Sequence, residues 1–285
     1  MWSGCSSRSV ISMKKYFFII TACLFQAVCF AQDDTLYQRD SVIELETDCS
    51  EDFFLNIERI KDPSRISLVA RNGKTYTMPS FFKAFNVGGF SESGLDDLDG
   101  DGKKELVISN FTGGAHCCDE IYIFRNIVAN RYQYVAKTFA GHVCFLRDKK
   151  LRFSFYEGFG YFFTCYACSY TDTTDVAPIP VSSIELQYLK GKLVVIPGDA
   201  SLKSMIRDNL GKLSEQPYEK MDDISQDNGL RKEFALNLAV YYYSFGRNLV
   251  ETRNLFNKYY RFPDAKTVWA EFNKLLANVK KTNHF

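Results

Sequence analysis

Hydrophobic positions recur along this chain with two different periods. Up to about residue 198 they come in short runs, often alternating with polar residues and separated by turn formers, the pattern of β-strands. Residues 32–50 begin polar and pass into a short alternating run, VIELE. FFLNIERI and RISLVA follow, and Asn72-Gly73 separates RISLVA from TYTMP, a strong hairpin signal. A strand is predicted over 106–109. Residues 120–126 and 131–139 predict a hairpin around Val128-Ala129-Asn130, and residues 184–196 another around Lys190-Gly191.

In residues 151–165 the odd positions carry Leu151, Phe153, Phe155, Glu157, Phe159, Tyr161, Phe163 and Cys165. A period of two puts them on one strand face, apolar except for Glu157, with Gly158 and Gly160 marking a bulge. After Pro197-Gly198 the pattern changes. Residues 199–226 are polar and read as a linker or loop with one short helix around 202–210. From Asp227 the period is helical: Leu230, Phe234, Leu238, Tyr241 and Phe245 lie on one stripe, and Gly246 can end that helix. A second helix covers roughly 249–260. Pro263-Asp264 opens a third, with Val268, Phe272, Leu275 and Val279 inward. The expected fold is α+β: an antiparallel β-rich domain over 32–198, the linker over 199–226 and a helical segment of about three helices over 227–285. No internal repeat is visible.

The chemically distinctive stretch is GLDDLDGDGKKELVISNFTGGAHCCDEIYIF, residues 94–124. Asp97, Asp99 and Asp101 sit two apart, and Glu105 closes the run. Oxygen side chains at alternate positions of a tight loop suit a hard cation, and calcium accepts six to eight oxygens in irregular geometry. Gly100 and Gly102 allow the backbone to bend inward, which brings the Lys103 carbonyl towards the ion. The loop is not an EF-hand, because the position that would need a bidentate Glu is Ile108. The pattern D-x-D-G-D-G-x-x-E leading into a strand resembles the calcium loop of FG-GAP and VCBS repeats. That resemblance implies Ca2+ held by Asp97, Asp99, Asp101, Glu105 and the Lys103 carbonyl; the departure is Glu105, where Asp is commoner. The following TGGAHCCDEIYIF is similar to the GGAHCC segment that follows such a loop in uncharacterised bacterial envelope proteins. The resemblance covers about 30 residues and implies a site and a compartment, not a reaction.

Charge adds an exclusion. A net charge of +1 gives no bulk electrostatic attraction to nucleic acid or an anionic membrane. Met13-Lys14-Lys15 and the apolar YFFIITACLFQAV read as a signal peptide over 1–31, with Cys29-Phe30-Ala31 as the processing site. Residues 1–12 precede a better start at Met13 and read as an over-extended frame. The alternative is lipidation at Cys23 of Ile20-Thr21-Ala22-Cys23. The apolar run is too short for a transmembrane anchor. The expected location is therefore periplasmic or secreted.

Six cysteines follow the processing site: Cys49, Cys117, Cys118, Cys144, Cys165 and Cys168. An even count in an exported chain argues for disulfides, with 15 possible connectivities. Cys117 and Cys118 are expected to pair elsewhere, since a bond between neighbours closes a strained ring. Cys165-x-x-Cys168 ends an aromatic run, which favours disulfide partners over a redox or zinc site. Candidates for acid–base chemistry are His116, His142 and Glu157. There is no Gly-x-Ser-x-Gly, phosphate loop or His-Glu-x-x-His. Three functions stay open: a non-catalytic structural or binding module of the bacterial envelope with a protein or glycan partner; an exported hydrolase using His116, His142 or Glu157; and a protein inhibitor or adhesin acting through an aromatic surface. The mature protein is expected to begin at Gln32. Intact-mass measurement on exported material checks this, and a mass requiring a diacylglyceryl group on Cys23 overturns it.

Overall fold

The computed structural model describes residues 57–88, 91–113, 119–140, 143–145, 148–156, 158–165, 170, 181–218 and 228–285. All of them fall in one compact unit, Cys49–Phe285. The strands are β1 (Glu58–Arg59), β2 (Ser67–Val69), β3 (Thr75–Thr77), β4 (Ser91–Asp96), β5 (Glu105–Phe111), β6 (Asp119–Val128), β7 (Arg131–Ala140), β8 (Val143–Phe145), β9 (Leu151–Ser154), β10 (Ser183–Leu189) and β11 (Lys192–Val195). The helices are α1 (Met78–Phe85), α2 (Ala200–Ser214), α3 (Leu230–Ser244), α4 (Leu249–Tyr259) and α5 (Ala265–Thr282). The fold is α+β. Seven strands form one sheet in the order β1-β4-β5-β6-β7-β2-β3, and four form a second in the order β11-β10-β9-β8.

Each predicted hairpin is present. In the β10–β11 turn Lys190 and Gly191 both have positive φ, 50° and 76°, the type I′ geometry that matches strand twist. β5 lies inside the larger sheet and is buried on both faces, so Leu106-Val107-Ile108 reads as a continuous apolar run. Leu106 and Ile108 join Phe81 of α1, Tyr122, Phe124 and Tyr132 in one core. Val107, Ile121 and Ile123 face the other way, into a second core with the smaller sheet and the C-terminal helices.

Several expectations change. The larger sheet is mixed, because β2 pairs parallel with β7, Leu68 opposite Tyr132. Hairpin signals are local and report only antiparallel neighbours; this pairing joins distant segments. There are five helices among the described residues, not three. The three expected over 227–285 are present. α1 is a fourth, and it starts where TYTMP was read as strand: the Thr77 side chain accepts from Ser80 N, and Pro79 lies at the start of the helix. The fifth, α2, is the short helix expected around 202–210, longer than expected at Ala200–Ser214 and packed into the core. Asp199 Oδ1 accepts from Leu202 N at 2.8 Å, and Ile206, Leu210 and Leu213 are fully buried at helical spacing beneath a charged outer face.

The single strand read over 151–165 also ends early, at Ser154. Phe155 N bonds to Ser182 O, after which turns link Phe159 N to Phe155 O and Phe162 N to Phe159 O. Phe155, Phe159 and Phe162 are buried at steps of four and three, while Tyr161 is 76% exposed. A row of aromatics fits either period, and the turns decided it. In α5 the inward residue is Leu276 rather than Leu275.

No helix among the described residues is long and apolar enough to cross a membrane. Leu210→Ala should destabilise the protein by about 2–5 kcal/mol, as for a buried leucine in a packed core. A urea melt measures this; a shift near zero is the outcome for a free linker.

Candidate metal centre

The acidic run forms the connection between β4 and β5, which pair antiparallel up to Asp96 opposite Glu105. Leu98 is buried and anchors the loop in the second core. Gly100 and Gly102 have φ of 74° and 83°, and this backbone fold lets the loop close on itself. Asp97 Oδ1 accepts from Asp101 N at 3.0 Å and its Oδ2 from Gly102 N at 2.9 Å. Asp101 Oδ1 accepts from Lys103 N at 2.8 Å. These bonds fix the loop before any ligand arrives.

Three carboxylates converge. Single oxygens of Asp97, Asp99 and Glu105 lie within 4.8 Å of one another. Glu105 is only 3% exposed, and its Oε2 accepts from Leu98 N at 3.1 Å. Asp99 Oδ2 accepts from Lys190 N at 3.0 Å, across to the β10–β11 turn of the second sheet. Its other oxygen, Oδ1, is buried without a hydrogen-bond partner among the described residues. A buried unbonded carboxylate oxygen is costly unless something positive approaches it. Asp101 is exposed and stands outside the converging set, and Lys103 is exposed as well.

The electrostatics agree with the geometry. Burial pushes the Glu105 carboxyl up to about 7; the Leu98 N–H opposes this, and the charges of Asp99 and Asp101 add to it. The Tyr188 hydroxyl is raised by burial and then by Glu105 and Asp99, so it stays protonated and donates to Glu105. Lys149 does not neutralise the cluster: its Nζ bonds Asp96 Oδ1 at 2.9 Å and the Asp97 carbonyl at 2.8 Å. Two full charges at this separation repel by roughly 3–4 kcal/mol at an effective dielectric of about 20. The spacing and the all-oxygen donor set fit one shared hard cation.

Of the five residues expected at the metal, Asp97, Asp99 and Glu105 are brought together, and Asp101 and Lys103 are exposed. Sequence reasoning missed Tyr188 and the Lys190 N–H. Both come from a hairpin far along the chain, and nothing local in QYLKGK signals a role. His116, His142 and Glu157 lie outside the described residues, as do Cys49, Cys117, Cys118 and Cys168. Cys144 lies in β8. Cys165 is disulfide-bonded. No family model, curated protein or solved structure matches the chain.

The raised Glu105 value sets a pH dependence for the metal-free protein. The unfolded chain releases this proton near the ordinary 4.5 and the folded one near 7. Between those values the folded state holds more protons, so its stability falls as pH rises and levels off above about 7. Thermal melts in chelator from pH 5 to 8 should show this fall, and Glu105→Gln should remove its share of the slope, leaving that of Glu233, which burial also raises to about 7. An unchanged slope in Glu105→Gln overturns the assignment.

Proposed function

We propose that this chain is an exported, non-catalytic calcium-binding module of the bacterial cell envelope, in which the ion completes the junction between the two sheets. The observation that carries this reading is the convergence of Asp97, Asp99 and Glu105, together with one Asp99 oxygen that is buried and unbonded among the described residues. The resemblance of the loop to FG-GAP and VCBS calcium loops supports it, with Asp101 and the Lys103 carbonyl as the further ligands on the solvent side. Calcium suits this set better than magnesium, which demands near-octahedral geometry and keeps its waters.

The ion's role in this reading is structural. Asp99 and Glu105 already reach the second sheet through Lys190 and Tyr188. Neutralising them removes the repulsion that would otherwise open the loop and loosen that junction. A millimolar-range site suffices outside cells, where calcium is plentiful. Export is supported by the amino-terminal signal pattern and the even cysteine count after it, and the partner is a protein or glycan of the envelope.

A ligand bound only by the folded state stabilises it by about 2.7 kcal/mol at a hundredfold excess over Kd. For a chain of this size that raises the melting temperature by roughly 5–10 °C. Melts in chelator, calcium and magnesium should show the rise with calcium, a smaller one with magnesium, and most of the calcium effect lost in Asp99→Ala. Identical wild-type melting temperatures in chelator and calcium would remove the proposal.

A further inference from the structure

A cavity of about 300 Å³ opens on the other core of the larger sheet and shares no residue with the metal centre. That volume is at the small end of ligand pockets. One wall is aromatic. Phe81 is buried and stacks on Phe85 with centroids 4.3 Å apart, and it meets the Tyr122 ring edge-on at 5.7 Å. Phe85 is 41% exposed, so it offers a free face at the mouth.

The opposite wall is polar and rigidly held. His284 N donates to the Lys137 carbonyl at 2.9 Å, and the neighbouring Asn283 Oδ1 accepts from Phe139 N at 2.6 Å, which fastens this segment along β7. His284 Nε2 lies 2.6 Å from Arg71 Nη1, and Nδ1 lies 2.6 Å from the Tyr134 hydroxyl. A guanidinium only donates, so Nε2 must accept. The neutral ring then carries its proton on Nδ1 and donates to the Tyr134 oxygen. Burial, Arg71 and Lys137 all lower the His284 value, in keeping with a neutral ring. The Tyr134 hydroxyl proton is left for a third partner.

The charge balance selects the ligand. Lys137 is matched by Glu120, which also accepts from Tyr122 and Asn110. Arg71 bonds only the neutral His284 and has no carboxylate partner among the described residues. The wall therefore carries one unmatched positive charge, with unused guanidinium donors and a hydroxyl donor beside it. We propose that this cavity binds a small monocarboxylate with a compact, planar apolar body. The carboxylate takes Arg71 and the Tyr134 hydroxyl, and the body lies against Phe81 and Phe85. A phosphate dianion would leave one charge unmatched and the aromatic wall unused.

Calorimetric titration of the mature protein in millimolar calcium tests this, with phenylacetate, its neutral counterpart phenylacetamide, and inorganic phosphate as probes. Phenylacetate should bind saturably with Kd of about 0.1–1 mM. Phenylacetamide should bind roughly tenfold or more weakly, as expected for loss of a charge-assisted hydrogen bond. Arg71→Gln should reduce phenylacetate to the level of the amide, and Phe85→Ala should weaken both. Phe85→Ala loses its stacking on Phe81 and Arg71→Gln its bond to His284, so the melting temperature of each variant is measured alongside; the acid-to-amide ratio on wild type needs no variant at all. The proposal is overturned by no saturable phenylacetate binding, by equal binding of acid and amide, by phosphate competing as well as phenylacetate, or by unchanged affinity in Arg71→Gln.

Discussion

Repulsion among Asp97, Asp99 and Glu105 sets the terms on which the two sheets meet. The loop that carries them is fixed at its base by Leu98 in the core and closed by its own backbone-to-carboxylate bonds. It cannot relieve the repulsion by swinging away without giving up those contacts. Instead the charges are turned inward, onto the Tyr188 hydroxyl and the Lys190 N–H of the second sheet. These donors satisfy part of the acceptor capacity and leave one Asp99 oxygen bare. The local chemistry of the turn and the packing of the two sheets are therefore one problem, which the cation proposed above would solve at both ends.

The helical half obeys the same rule of internal satisfaction by a different route. α3 is buried all round, so its polar residues have no solvent to turn to. Arg231 bonds Asp264 at 2.7 Å and lies against the rings of Phe163 and Tyr218, while Tyr260 donates to the same Asp264 at 3.0 Å. Lys232 sits 3.7 Å over the Tyr156 ring. Asn237 bridges Glu233 to Asn209 of α2, and burial raises the Glu233 carboxyl to about 7. These polar contacts give α3 a single rotational setting in an otherwise aromatic core, where stacked and edge-on pairs such as Phe155–Tyr243 and Phe159–Phe272 fill the space. The turn-rich segment after β9 matters for that reason: it supplies rings to the helices, not a strand to the sheet.

Much of this was readable from the chain alone where the cause is local. Asn-Gly and Lys-Gly turns set the hairpins, the 3.6-residue period set α3 to α5, and D-x-D-G-D-G-x-x-E placed the acidic loop against β5. Local signals failed where two structures satisfy the same local pattern. Aromatics at Phe153 to Phe163 fit both a strand and a series of turns. α2 was legible only as a short helix around 202–210, its full buried stripe masked by charges, and Thr77 both ends a strand and caps a helix. What the tertiary structure alone decided are the meetings between distant segments: β2 beside β7, Tyr188 and Lys190 beside the acidic loop, and His284 between Arg71 and Tyr134. Such pairings depend on which faces remain to be buried after the local elements have formed. That is a property of the whole packed chain, which no window of sequence contains.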